Sequence, residues 1–234
     1  MRYEDKSQLI KEWSKIEKGK EIKMHFPKIH SRRYELLEMG YLNLKEEVEK
    51  YLRQKKVVQE GLRNLKKTLR LNSHPYRIEC FDISNIQGKD AVAAMTVAID
   101  GEVTPKEYRH FKITVKDTPD DFAMMREALT RRYSKLEIDQ LPNLILIDGG
   151  KGQLGVATEV LEKLGKIEYT DIISIAKREE EIFKSYESDP YLFEREDETL
   201  KILQRLRDEA HRFGITHHRK LRSKRNIKSA LDDI

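Results

Sequence analysis

The sequence predicts an α/β fold: a mixed β-sheet flanked by helices, behind an N-terminal α/β lead-in. Three observations predict it. The runs YRIECFDIS, AVAAMTVAID and KEYRHFKITV follow one another with short connections, which implies an antiparallel meander. A helix-start signal then precedes the apolar run PNLILID, and a second helical stretch separates that run from another, DIISIAK, which makes the sheet mixed. Ahead of the sheet, Tyr34, Leu37, Tyr41, Leu44, Val48, Tyr51 and Leu52 recur at helical spacing.

Taken in order, residues 4–18 read as a short helix and EIKMHFPKI as a strand closed by Pro27. Ser31 is placed to cap a helix that runs to about Leu71, with Gly61 its weak point. Asn72-Ser73-His74-Pro75 breaks it, so residues 1–75 form the lead-in and 76–228 the main domain, with 229–234 the start of a linker. In the main domain, Asn85–Asp90 and Asp100-Gly101 are the turns of the meander. Thr118-Pro119-Asp120-Asp121 offers a capping threonine, a proline for the first turn and acids beside the helix dipole. That helix runs to about Lys135, and Gly149-Gly150 turns the chain from PNLILID into a helix over Gln153–Leu164. After DIISIAK, a charged irregular stretch leads to a last helix, Glu198–Phe213, and a basic tail. Three antiparallel strands, a helix, then strand–helix–strand is the ribonuclease H-like plan.

Composition narrows the function classes. A 38% hydrophobic share supports one core, while 37% charged residues cover the surface. No apolar run approaches the roughly 20 residues that span a bilayer, and the first residues lack the apolar core of a signal peptide. The single Cys80 excludes an internal disulfide and a Cys-rich zinc site. A cytoplasmic monomer with no membrane contact is expected. The net charge of +5 is concentrated: Lys50 to Arg70 holds eight Lys/Arg and one acid, and Arg212 to Lys228 holds seven and none. Such stretches suit a nucleic-acid backbone, or are simply solvated faces.

Two aspartates end buried runs: Asp82 in ECFDIS and Asp148 in LILIDGG. If their strands are neighbours, both carboxylates emerge at one sheet edge. Carboxylates aimed at one point repel unless a cation lies between them, and hard oxygen ligands suit Mg²⁺ or Mn²⁺. Such a metal activates water for phosphodiester hydrolysis. Asp120 and Asp121 read either as helix caps or as a further carboxylate near the metal. DGGKGQ is too short for a P-loop, but Gly149 and Gly150 offer backbone N–H groups, and Lys151 a charge, for a DNA phosphate.

Residues 208–211 spell D-E-A-H, the letters of a helicase motif. No G-x-x-x-x-G-K-[ST] accompanies them, and they fall inside a helix with Leu200, Leu203, Leu206, Ala210 and Phe213 near one face. The ATPase reading fails on both counts. The residues alone leave His211 open between a packing role, a surface position and a catalytic one.

RIECFDISNIQG, DDFAMMREALTRRY, PNLILIDGGKGQL, SIAKREEEIF and RDEAHRFGITHHRKLRSK, spread in order over residues 75–228, resemble the C-terminal half of the UvrC family, a component of the bacterial UvrABC excision nuclease. PKIHSRRYELLEMGYLN resembles the segment before that half, more loosely. The resemblance implies a ribonuclease H-like domain that makes the 5′ incision beside a lesion in double-stranded DNA. It implies Asp82, Asp148 and His211 as catalytic residues and ligands of Mg²⁺ or Mn²⁺, with Asp121 the further acid of the D-D-[YF]-A motif. Lys151, Lys177, Arg178, Arg212, Arg219 and Lys220 are expected on DNA phosphates. The family's N-terminal nuclease, its UvrB-contacting segment and its helix-hairpin-helix pair have no counterpart in these residues. A segment of a longer protein is therefore expected, keeping the chemistry but binding DNA weakly. The competing reading is a non-catalytic DNA-binding or scaffolding module of the same fold, which intact Asp82, Asp148 and His211 speak against.

Overall fold

A computed structural model describes residues 3–20, 22, 23, 27–84, 92–114, 120–176 and 180–232, with side chains as far as Thr216 in the last helix. The chain divides into two compact units, Met1–Arg53 and Gln54–Ile234. The expected boundary at 75/76 therefore differs from the observed division. The reason is packing: Leu62, Leu65 and Leu69 are fully buried in one cluster with Ile78, Leu144 and Leu203, so they belong to the sheet's own core.

The first unit holds helix α1 (Tyr3–Lys18) and the start of α2 (Arg32–Thr68). Ser31 caps α2 as expected, its Oγ accepting from the Tyr34 N–H at 3.2 Å. Of the strand expected over 21–29, residues 21 and 24–26 lie outside the described residues, and 22, 23 and 27–29 are not in a strand. Gly61 does not interrupt α2. It is buried, and a Cβ there would stand 2.9 Å from Ile202 Cδ1 and 3.3 Å from the Glu198 carbonyl carbon, so close helix packing offsets its weak propensity.

The second unit is a seven-stranded sheet with strand order β3-β2-β1-β5-β6-β7 and β4 also on β2. The meander comprises β1 (Arg77–Ser84), β2 (Val92–Ile99) and β4 (Arg109–Lys112), with β3 (Glu102–Val103) a two-residue extra pairing on β2. Asp100 and Gly101 take φ of 55° and 79° at the β2–β3 turn, the left-handed pair that an Asp-Gly hairpin favours. A Cβ on Gly101 would also fall 2.3 Å from Val58 Cγ1. Helix α3 (Asp121–Tyr133) leads to β5 (Leu144–Asp148), α4 (Lys151–Lys163), β6 (Asp171–Ile175), β7 (Ile182–Lys184) and α5 (Glu198–Asp232). The expected cap at Thr118-Pro119 lies outside the described residues; Asp120 caps α3, its Oδ1 accepting from Phe122 and Ala123 N–H. Helix α5 does not end at Phe213, because Lys, Arg, Leu and Ala beyond it are good helix formers and Gly214 costs only about 1 kcal/mol.

Alternation along the strands sorts the core into two layers. Phe81, Ile145, Ile147 and Ile172 face α3 and α4. Ile78, Cys80, Leu144, Leu146, Ile173 and Ile175 face α2 and α5. The second layer is the one that matters for the site.

Candidate active site

Strands β1 and β5 are parallel neighbours, with Phe81 paired to Ile147. The next residues in register are Asp82 and Asp148. Both follow the parity of Cys80 and Leu146, so both carboxylates leave the sheet on the α2/α5 side. Both are nearly buried, at 3% and 4% exposure. The condition set by the sequence, that the two strands be neighbours, is met.

The third group comes from α5. Leu203, Leu206 and Ala210 seat this helix on the sheet, and Thr96 Oγ1 donates to the Leu206 carbonyl at 3.3 Å. That seating brings His211 over β1, with Nδ1 3.2 Å from Asp82 Oδ2. Ligand atoms of Asp82, Asp148 and His211 all lie within 4.8 Å of one another. Two carboxylates and an imidazole at that spacing can hold a divalent cation. An open cleft of about 240 Å³ beside them is lined by Asp148, Arg207, Asp208 and His211.

Cys80 lies one strand step below Asp82 on the same face. Burial pushes its thiol well above the ordinary value, and Asp148 and Asp82 add to the rise. A thiol so placed stays protonated and inert.

The other expected residues fare differently. Asp121 is exposed at the first turn of α3 and is not one of the three converging groups. Gly149 and Gly150 are not a phosphate cradle: the Gly149 N–H donates to Ile175 O and the Gly150 N–H to Gln153 Oε1, each at 3.1 Å. Gln153, three residues after the N-cap Gly150, thus caps α4. Lys151 is turned onto β7, where Nζ donates to Ser188 O at 2.5 Å and stands 4.9 Å from the Phe183 ring centre. Arg212 is exposed and forks onto Glu209 at 2.6 and 2.7 Å. Lys177 and Arg178 lie outside the described residues, as do the side chains of Arg219 and Lys220 on α5.

Sequence reasoning missed Arg207; Asp208 beside it is exposed and pairs with it. Arg207 is locked by Glu180 Oε2 at 2.7 Å and by Asp208 Oδ1 at 2.9 and 3.0 Å, and it lines the cleft beside Asp148. The available signal was its place one helical turn before His211.

Known proteins share this sequence over nearly its whole length. The family model for the UvrC RNase H endonuclease domain matches residues 66–215. UvrABC system protein C of Fusobacterium nucleatum is 55% identical over 99% of this chain and 39% of its own length. That of Gloeobacter violaceus is 43% identical over 97% and 37%. The chain thus spans under two-fifths of the curated relatives it matches. Among solved structures, Bacillus subtilis endonuclease V aligns at 22% identity over 58% of this chain and 65% of that one, with a TM-score of 0.32. The chain belongs to the UvrC family and carries its ribonuclease H endonuclease domain.

Proposed function

We propose that this domain is a metal-dependent DNA endonuclease that makes the 5′ incision in nucleotide excision repair. The convergence of Asp82, Asp148 and His211 within 4.8 Å is the observation that carries the reading. Asp82 and Asp148 present hard oxygen donors, which favours Mg²⁺ or Mn²⁺ over softer metals. Bound there, such an ion supplies Lewis acidity toward a phosphodiester and lowers the pKa of water.

The chain's own residues do the rest. The β1–β5 register fixes the two carboxylates, so their arrangement costs no reorganisation on substrate binding. With Nδ1–H donating to Asp82, His211 keeps Nε2 to ligate the ion or to take a proton from the attacking water. Arg207, held by two carboxylates, brings a guanidinium to a cleft wall otherwise lined by Asp148, Asp208 and His211, where it can meet a phosphate oxygen. Asp121 acts from outside the ion's ligands. Lys177, Arg178, Arg219 and Lys220 contact backbone phosphates, giving salt-sensitive binding with little base preference. Damage targeting, including the contact with UvrB, falls to segments of the kind the longer relatives carry outside the matched stretch, and the work is done in the cytoplasm.

Incubation with nicked or bubble DNA and Mn²⁺ tests the reading. Incision that disappears in Asp82→Ala and Asp148→Ala supports it. Incision that survives Asp82→Ala refutes it, as does no incision even with the flanking modules restored; the latter leaves a binding module.

A further inference from the structure

We infer that His110 is a positioning residue for His211, acting through Phe213; this rests on the reading of His211 as a metal ligand given above. The sheet register prepares it. Asp82 pairs with Ala94 across β1 and β2, and Ala94 pairs with His110 across β2 and β4. Directly opposed residues share a face, so Asp82, Ala94 and His110 form one row beneath α5. The middle of the row carries only a methyl group, which lets the helix lie close.

Helix α5 is held at both ends of that row. At the β1 end His211 Nδ1 meets Asp82 Oδ2 at 3.2 Å. At the β4 end the Phe213 ring lies on His110, with centroids 3.8 Å apart and planes inclined by 18°. The His110 Nε2–H also donates to the Phe213 carbonyl oxygen at 3.3 Å. Tyr108 closes the other approach to Phe213, edge-on with centroids 5.1 Å apart. Residues 211 and 213 project about 200° apart around a helix of 3.6 residues per turn. The two contacts therefore grip opposite sides of α5 and fix its rotation.

Rotation is the coordinate that matters, because the His211 side chain is 51% exposed and takes little guidance from packing walls. A turn of about 10° moves an atom about 6 Å from the helix axis by roughly 1 Å. A displacement of that size is enough to spoil a ligand or proton-transfer geometry.

The test is Mn²⁺ affinity, read by the electron paramagnetic resonance of free Mn²⁺ in the presence of the chain, alongside the metal-free melting temperature. His110→Ala is expected to weaken Mn²⁺ binding about 10-fold, the usual effect of losing a group that orients a ligand, while the metal-free melting temperature shifts by no more than about 4 °C. His110→Phe is expected to restore most of the affinity, because the ring stack bears on Phe213. Unchanged Mn²⁺ affinity in His110→Ala overturns the inference, as does a His110→Phe variant as weak as His110→Ala. Asp82→Ala separates the two levels. If wild type and Asp82→Ala bind Mn²⁺ alike, the metal site itself is wrong. If Asp82→Ala loses the ion and His110→Ala does not, only the positioning role falls.

Discussion

Replacing Asp148 with asparagine puts the metal reading to a two-sided test. Asp82 and Asp148 are nearly buried, with donor atoms no more than 4.8 Å apart. Two unit negative charges at that distance repel by about 3.5 kcal/mol at an effective dielectric constant of about 20. The His211 ring against Asp82 offsets part of this, so Asp148→Asn is expected to stabilise the metal-free protein by about 1–3 kcal/mol. For a domain of this size, that is a rise of roughly 2–10 °C in melting temperature. Metal reverses the comparison. At about 100 times its Kd, Mn²⁺ stabilises the wild type by about 2.7 kcal/mol, and Asp148→Asn forfeits most of that gain. Scanning calorimetry with EDTA and with saturating Mn²⁺ reads both effects from one pair of proteins. A variant that melts below wild type in EDTA, and still shows the full Mn²⁺ shift, refutes the claim that the two carboxylates are held together for a cation.

Other consequences are checked more briefly. Glu79 is fully buried and accepts from Arg77, Arg132 and the Tyr133 hydroxyl. Glu79→Gln leaves two guanidinium groups short of charge and should cost about 3–5 kcal/mol in urea unfolding. Burial alone would raise the Glu79 carboxyl, but Arg132 and Arg77 together hold it below its ordinary value of 4.5. A depressed carboxyl contributes stability that is present above its unfolded value and lost as pH falls through the folded one. Unfolding free energy should therefore drop below about pH 4.5, and Glu79→Gln should flatten that slope. Gly101→Ala meets both a positive φ and Val58 Cγ1, and should cost roughly 1–3 kcal/mol by thermal melt. Asp121→Asn should reduce incision far less than Asp82→Asn, since Asp121 stands outside the converging three.

The legible parts of the fold were those written in long periodic runs. Apolar strands β1, β2, β5 and β6 declared themselves, and with them the aspartates at their ends. Strands β3 and β7 have two and three residues, too few for alternation to register; they exist because β2 and β6 offer edges to pair with. Cap chemistry was legible at Ser31. At DGGKGQ it was missed: Gln153 stands at the capping-box spacing, three residues after the N-cap, but the cap itself is Gly150, which lacks the hydroxyl that completes the pattern. The pair Asp82 and Asp148 could be placed together from strand order alone, since register between parallel neighbours is set by the alternation of buried residues. His211 could not. The apolar face that seats α5 was legible, but the rotation that sets His211 also rests on Thr96 and the Phe213 stack, and those contacts leave no pattern in the local sequence. Only the resemblance to the family singled it out.

That difference bears on the chemistry. The carboxylates belong to the sheet, whereas the imidazole belongs to a helix seated on it by Leu203, Leu206 and Ala210 and set in rotation by a hydrogen bond and an aromatic stack. A site with two carboxylates already matches the charge of one divalent cation, and a third would bind the ion more tightly while repelling an incoming phosphate. An imidazole in the third place completes the ligand set without that repulsion, and Arg207 on the cleft wall acts in the same direction. The arrangement trades metal affinity for tolerance of a polyanionic substrate. Replacing His211 with aspartate should accordingly tighten Mn²⁺ binding while weakening DNA binding in the presence of the metal, most visibly at low salt, where charge is least screened. Mn²⁺ and DNA titrations of His211→Asp that move in the same direction would contradict this division of labour.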